Sequence, residues 1–305
     1  MADKQLPDSR SGYVAIVGKP NVGKSTLLNH LVGQKISITS RKPQTTRHRI
    51  TGILTEAQTQ IVFVDTPGMH QDEKRTLNRY MNRAAGSSLQ DVDVILALVD
   101  GTSWNEDDEL VIKNLASAGA PVALVVNKVD KIVSKESLLP HLQELSALFD
   151  FEQVFPLSAL KGTNVDELKQ YLIAKMPQSE FIYPEDYVTD RSMRFMAAEL
   201  VREKLMRQLG NELPYATTVN VEQYEVDKRG LVSISCVIMV ERNGQKQIVI
   251  GKKGQRIKQI GQQAREELQD LLKAKVYLQL WVKVKQGWAD DERALKSMGF
   301  DEHQP

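Results

Sequence analysis

The segment Gly18-Lys19-Pro20-Asn21-Val22-Gly23-Lys24-Ser25-Thr26 carries residue types at a spacing suited to holding phosphates. In the pattern G-x-x-x-x-G-K-[ST], Gly18 and Gly23 let backbone N–H groups close on oxyanions with no side chain in the way. The positive end of a following helix adds to the attraction. Lys24 can reach β and γ phosphates as a point charge, and the Ser25 hydroxyl suits a Mg2+ ion. The plain alternative is a glycine-rich turn with an incidental lysine. The apolar run Tyr13–Val17 before the loop and the helical Thr26–Leu31 after it argue against that. The pattern implies a bound nucleoside triphosphate.

Three further stretches extend the chemistry. Ser40–Arg49 has no apolar periodicity and several basic residues, including Arg41, Lys42 and Arg47, so it reads as a mobile loop. A hydroxyl of its Thr45-Thr46 pair can complete a Mg2+ shell when a γ-phosphate is present. Asp65-Thr66-Pro67-Gly68 places a carboxylate at a strand tip, followed by a glycine able to approach a phosphate. Asn127-Lys128-Val129-Asp130 can read a base. Asp130 can accept from guanine N1–H and N2, where adenine offers no matching donors; Asn127 can bond the guanine edge, and the Lys128 stem can pack on the ring. Ser158-Ala159 would add backbone support to the guanine carbonyl. Each of the shorter motifs is also a common turn or strand end, and their common order is what lends them weight.

The elements that position these groups follow from periodicity. Tyr13–Val17, Gln60–Val64, Val92–Val99, Pro121–Val126 and Gln153–Leu157 read as buried strands. Helices are expected around 73–87 and 106–117, with another closing near Met176. Alternating strands and helices imply an α/β fold with a doubly wound, mostly parallel sheet. All the motifs then fall at the carboxyl ends of strands, where such sheets bind ligands.

The second half has different chemistry. Gly251-Lys252-Lys253-Gly254 is a G-x-x-G with two basic residues, and it feeds a helix whose apolar face is Ile257, Ile260, Ala264, Leu268 and Leu271. Such a loop can clamp a nucleic-acid backbone, with Lys252, Lys253, Arg256 and the helix N-terminus near phosphates. Ile248, Ile250 and Ile257 are candidate lining for bases. A helix over Arg191–Leu209, strands at Tyr215–Tyr224 and Leu231–Val240, and a strand at Val276–Val284 complete the set. Trp281 and Trp288 lie among Lys283 and Lys285; stacking on RNA and core packing are both open to each.

Composition narrows the class. The chain has 305 residues, 41% hydrophobic, with a net charge of +1, enough for two packed domains. Residues 241–285 hold eleven Lys and Arg against four Asp and Glu, an excess of seven positive charges that suits a polyanion. Cys236 is the only cysteine, so no intrachain disulfide can form and a reducing compartment is expected. No apolar run approaches membrane-spanning length, and MADKQLPDSR lacks a signal-peptide core, which predicts a soluble, cytoplasmic protein.

The set GKPNVGKS, TT, DTPG, NKVD and SAL resembles the translation-factor class of Ras-like GTPases. The fuller runs GKPNVGKSTLLN, ISITSRKPQTTRHRI, DTPGMH and WVKVKQGWADDERALKSMG are similar to the Era family of bacterial GTPases, which carry a C-terminal KH domain. The resemblance implies a flexible N-terminus (1–10), a GTPase domain (11–178), a linker (179–191) and an α+β type II KH domain with a short C-terminal helix (192–305). It implies Mg2+ held by Ser25, Thr46 and Asp65, and switch residues at Thr45, Thr46 and Asp65 through Met69. It favours Thr46 over Thr45 at the metal and a helix, despite its β-branched composition, just before Gly251. The phosphates would be bound by Gly18 through Thr26 and Gly68. Met69 occupies the position where Ras-like switches carry a water-orienting glutamine, so slow intrinsic hydrolysis is expected and no catalytic base is assigned. Asn21 in the loop points to K+ as a helper ion. The implied function is a GTP-hydrolysing switch that binds single-stranded ribosomal RNA near the 3′ end of the small-subunit rRNA and assists assembly of the 30S subunit. A monomer with peripheral contact to the inner membrane is part of the same implication. The competing readings are a non-catalytic rRNA chaperone with structural nucleotide, and an RNA-modifying GTPase.

Overall fold

The computed structural model describes residues 8–68, 76–87, 89, 91–116, 118–132, 138–210, 213–291, 293 and 295. Long apolar runs give the first half its strands: β1 (Arg10–Gly18), β3 (Thr59–Asp65), β4 (Val94–Asp100), β5 (Val122–Asn127) and β6 (Gln153–Pro156), with β2 (Ile50–Glu56) before β3. They form one sheet in the order β2-β3-β1-β4-β5-β6. All neighbours run parallel except β2, which pairs antiparallel with β3 along Ile50–Glu56. Val14, Ala15, Ile16 and Val17 are all fully buried, so both faces of the central strand are covered, as a parallel sheet requires.

The helices are α1 (Lys24–Val32), α2 (Thr76–Ser87), α3 (Glu106–Leu115), α4 (Leu138–Ser146) and α5 (Val165–Lys175). Ala85 of α2 and Val111 and Leu115 of α3 pack on Ala15, Val17, Ile95 and Ala97, while α1 and α5 meet each other and β3. α3 starts cleanly because the Asn105 side chain accepts from Asp107 N–H and Asp108 reaches back to Asn105 N–H.

The second half contains α6 (Met193–Gln208), β7 (Thr217–Val226), β8 (Val232–Val240), α7 (Asn243–Ile250), α8 (Gln255–Leu272) and β9 (Val276–Val284). β7 is antiparallel to β8, with a bulge between Val221 and Gln223, and β9 is parallel to β8. One sheet face packs on α6 and α8 through Leu200, Leu205, Ile238, Val240, Ile260, Ala264 and Leu268.

The chain divides into two compact units. The second comprises the residues from Arg191 onward together with two earlier pieces, Arg75–Leu77 and Ile38–Thr45, the latter a stretch that in sequence lies between α1 and β2. The piece before Gly251 is helical, because α7 closes on itself through Gly251 N–H to Gln247 O at 2.8 Å. Met69, most of the expected C-terminal helix and the first seven residues lie outside the described residues.

Candidate functional site

Helix α1 begins directly at the end of the phosphate-type loop. Gly23 precedes it in a left-handed conformation without a side-chain cap. The first backbone bond, Leu27 N–H to Gly23 O, is 2.9 Å, so the amides of Lys24, Ser25 and Thr26 stand at the open, positive end. Lys24 is buried, and its Nζ donates to the carbonyls of Gly18 (2.8 Å) and Lys19 (2.9 Å), which ties it across the loop. Burial pushes its pKa down to about 8, against the upward pull of the Asp65 carboxylate. Lys19 behaves differently. Its Nζ pairs with Asp108 Oδ2 at 2.5 Å and donates to Ser103 O at 3.0 Å, so only its backbone faces the loop.

Ser25, Thr46 and Asp65 come together although the sequence spreads them over forty residues. Ser25 Oγ donates to Asp65 Oδ2 at 2.8 Å and lies 2.7 Å from Thr46 Oγ1. Asp65 is fully buried, and its Oδ1 has no hydrogen-bond partner among the described residues. Burial raises its pKa to about 6, opposed by the charge of Lys24 and by hydrogen bonds from Ser25 and Ser37. Two hydroxyls and a carboxylate with an unpartnered buried oxygen make a hard oxygen set that fits Mg2+. Thr45 points elsewhere: its Oγ1 donates to Lys42 O at 2.6 Å and sits 2.7 Å from Ser40 Oγ. Of the following residues, Thr66 turns inward to donate to Ile16 O at 3.0 Å. Gly68 lies so close to Pro20 that an added Cβ would come within 2.6 Å of its nitrogen.

The base-reading motif is assembled from three loops. Asn127 Nδ2 donates to Val22 O at 2.8 Å, while its Oδ1 accepts from the N–H groups of Lys128 (2.8 Å) and Ala159 (2.9 Å). Asn127 therefore fastens the phosphate loop to the Ser158-Ala159 turn. The Ala159 amide is thus engaged by Asn127 in this structure. Ser158 Oγ donates to Asp130 Oδ1 at 2.5 Å and orients that exposed carboxylate. Lys128 Nζ donates to Asn21 O at 2.8 Å and to Asp100 Oδ2 at 2.5 Å, so its stem crosses the loop. The Lys128 contact, helped by Thr102, outweighs partial burial and lowers the Asp100 pKa.

The second unit presents its own loop. Gly251 has φ of 73°, and a Cβ there would meet Arg256 Cβ at 2.7 Å, so no other residue fits between α7 and α8. Lys252 and Lys253 are exposed, and Gly254 opens the eighteen-residue α8 without a side-chain cap. The Arg256 guanidinium donates to Ile248 O and braces α7 against α8. Of the candidate lining residues, Ile248 is open to solvent, whereas Ile250 and Ile257 lean on the core. Trp288 is fully buried, with its indole N–H directed at Ala216 O, and so belongs to the core. Trp281 is 57% exposed and lies on β9, four residues along the strand from exposed Tyr277. Cys236 is buried and burial pushes its thiol up to about 12, which makes it unfit as a nucleophile.

Comparison with known proteins agrees with both halves. Residues 13–128 match the family described as 50S ribosome-binding GTPase, and residues 212–289 match the KH domain. The chain is 57% identical over 296 residues to the GTPase Era of Actinobacillus pleuropneumoniae serotype 5b (strain L20), covering 97% of each chain. It is 58% identical over 289 residues to the GTPase Era of Yersinia pestis (strain Pestoides F), covering 95% of each.

The chain belongs to the Era family of GTPases.

Two solved Era structures share the whole fold. A complex of Era with MgGDPNP and nucleotides 1506–1542 of 16S ribosomal RNA superposes with a TM-score of 0.92 at 41% identity, covering 96% of this chain and 99% of that one. An Aquifex aeolicus Era variant bound to GDP·AlF4− gives 0.91 at 42% identity, covering 95% and 99%.

The sequence pointed to Ser25, Thr46, Asp65, Asn127 and Asp130, and the structure sets Asp65 and Asn127 at the carboxyl ends of β3 and β5, with Ser25 and Thr46 beside Asp65 and Asp130 just past Asn127. It did not point to Ser37, whose buried hydroxyl donates to Asp65 Oδ2 at 3.2 Å. Nor did it point to Asn29, which holds Ser37 by accepting from Ile36 and Ser37 N–H at 2.9 Å each. The only sequence signal for either was their nearness to the loop. Among the described residues, no helix is long and apolar enough to cross a membrane.

Proposed function

We propose that this GTPase is a molecular switch that binds GTP and GDP at the first unit and single-stranded small-subunit ribosomal RNA at the second, and that it serves assembly of the 30S subunit. The convergence of Ser25, Thr46 and Asp65 beside the phosphate loop carries the nucleotide half of this reading. The Era complex with MgGDPNP and a 16S rRNA segment supports the RNA half.

In this reading the amides of Gly18 through Thr26 receive the phosphates, with Lys24 near the β and γ groups. Ser25, Thr46 and Asp65 hold Mg2+, which when bound neutralises charge developing on the phosphates. Thr45, Thr66, Pro67 and Met69 move with Thr46, Asp65 and Gly68 as the switch, ordered by a γ-phosphate and released after hydrolysis. Asp130 and Asn127 read guanine, Lys128 covers it, and Ser158 with Ala159 holds the readers in place. Asn21, with φ of 61° at the loop's crest, is where a K+ ion would assist.

At the second unit Gly251, Lys252, Lys253 and Gly254 clamp the RNA backbone, Arg256 keeps the clamp shaped, and Ile248 offers the open apolar contact for bases, with Ile250 and Ile257 behind it. The protein acts as a cytoplasmic monomer, and any inner-membrane association is peripheral. Equilibrium binding tests the whole reading. GTP and GDP should bind while ATP does not, and a single-stranded oligomer from the 3′ end of small-subunit rRNA should bind while a duplex of the same sequence does not. Equal affinity for ATP, or for the duplex, would refute it.

A further inference from the structure

Helix α6 buries charge as well as apolar surface. Glu199, Arg202, Glu203 and Lys204 are four of its residues, and none is more than 6% exposed. Buried charges are costly unless each is paired and hydrogen-bonded, and apolar replacements are often as stable, so their partners show what the helix is built to hold. Glu199 takes Arg202 Nε at 2.7 Å and Nη2 at 2.6 Å, and the same Nη2 donates to the Thr45 carbonyl. Glu203 Oε1 accepts the Thr39 backbone N–H at 2.9 Å and Arg207 Nη2 at 3.0 Å. Arg207 in turn donates to Thr39 O at 3.1 Å. Lys42 Nζ donates to Leu209 O, at the end of the helix.

Lys204 pairs with Glu203 Oε2 at 2.9 Å and with Glu267 of α8. Arg202, Glu203 and Arg207 instead each hold the main chain of the loop, at Thr45 or Thr39. All of them lie inside the second compact unit, to which Ile38–Thr45 belongs. One peptide bond later comes Thr46, whose hydroxyl meets Ser25 in the first unit.

We propose that Arg202 and Glu203 are positioning residues for GTP hydrolysis: by gripping the backbone of Thr45 and Thr39 they set where Thr46 can place its hydroxyl. The inference rests on reading Thr46 as a metal-side group. It makes the helix of the RNA-binding unit a determinant of turnover.

Three variants of the full chain test it. Glu199→Gln with Arg202→Met removes the donor to Thr45 while keeping the buried charge balanced. Lys42→Met and Arg207→Met each remove a contact whose loss does not open the core. Steady-state hydrolysis with GTP and Mg2+ is measured beside tryptic cleavage after Arg41, which reports how firmly the loop is held. For the double variant the expected result is a kcat lower by about 10-fold with KM for GTP little changed. The Mg2+ concentration for half-maximal rate should rise, and loop cleavage should speed up by about 10-fold. Lys42→Met and Arg207→Met should shift the same readouts in the same direction, less far. Wild-type turnover and wild-type cleavage in a folded double variant would overturn the proposal. Should that variant not fold, the same result for both single variants would do so. Thr46→Ala, run alongside, separates the two levels. If it hydrolyses GTP normally, the reading of Thr46 fails; if it is inactive while the α6 variants match wild type, only the present inference fails.

Discussion

Thr46 Oγ1 lies 2.7 Å from Ser25 Oγ, while the neighbouring Thr45 hydroxyl turns back to Lys42 O at 2.6 Å. Two adjacent threonine hydroxyls thus point in different directions, one toward Ser25 and one back into its own loop.

Their substitution should reveal the division. Thr46→Ala should lower GTP hydrolysis by roughly 10²-fold or more by removing a ligand oxygen, with GDP binding nearly unchanged. Thr45→Ala should lower it by less than about 10-fold, because only bonds within its own loop, to Lys42 O and Ser40 Oγ, are lost. Single-turnover hydrolysis of both variants distinguishes them, and equal losses would contradict the assignment.

The buried Asp65 carboxyl gives the site a pH dependence. Its pKa is raised to about 6, so the protonated form gains as pH falls through that value, whereas a metal ligand must be ionised. Apparent Mg2+ affinity should therefore be nearly flat above pH 7 and fall by about 10-fold by pH 5. Titrating Mg2+ against a fluorescent GTP analogue at several pH values checks this, and an unchanged affinity at pH 5 would count against Asp65 as a ligand.

Asp130 is oriented by Ser158 Oγ at 2.5 Å, and in the proposed reading its carboxylate accepts from guanine N1–H and N2. Asp130→Asn replaces an acceptor with a mixed donor and acceptor. GTP affinity should fall by about 10²-fold or more, while xanthosine triphosphate, which carries a carbonyl where guanine has its amino group, should gain. The melting temperature should stay close to that of wild type, since the side chain is exposed. Competition binding with the two nucleotides reads the result.

Much of this arrangement could be read from the chain because the motifs sit in order at strand ends. The long apolar strands were legible for the same reason that they are buried on both faces. β2 was not, since Ile50–Glu56 interrupts its apolar residues with Thr51, Gly52 and Thr55 and owes its strand state to pairing with β3. α4 was hidden by Pro140, which a helix tolerates in its first turn, where the missing N–H has no intrahelical partner. Lys19 looks like a phosphate residue by position, yet its amine is drawn to Asp108, 89 residues away, and only the fold supplies that partner. The two tryptophans carry the same lesson. Their flanking lysines are alike, and the packing alone separates buried Trp288 from exposed Trp281.

That contrast makes a stability prediction. Trp288→Ala should destabilise the second unit by about 3–5 kcal/mol, the usual cost of emptying a buried aromatic site. Trp281→Ala should leave thermal unfolding almost unchanged. Denaturant melts of the two variants check it, and equal losses would contradict the placement of Trp288 in the core.

The central claim is that one chain carries a guanine-selective triphosphate site and a separate grip on unpaired RNA. It is tested most directly by comparing wild type with a Lys252→Asp, Lys253→Asp variant, measuring binding of GTP, with ATP as competitor, and of a single-stranded 3′-end rRNA oligomer across a salt series. The account predicts GTP binding indifferent to ATP in both proteins. It predicts RNA binding in wild type with a salt slope of about −0.7 per phosphate contacted, and none in the variant. RNA binding that survives the double substitution, or GTP binding lost with it, would contradict the account.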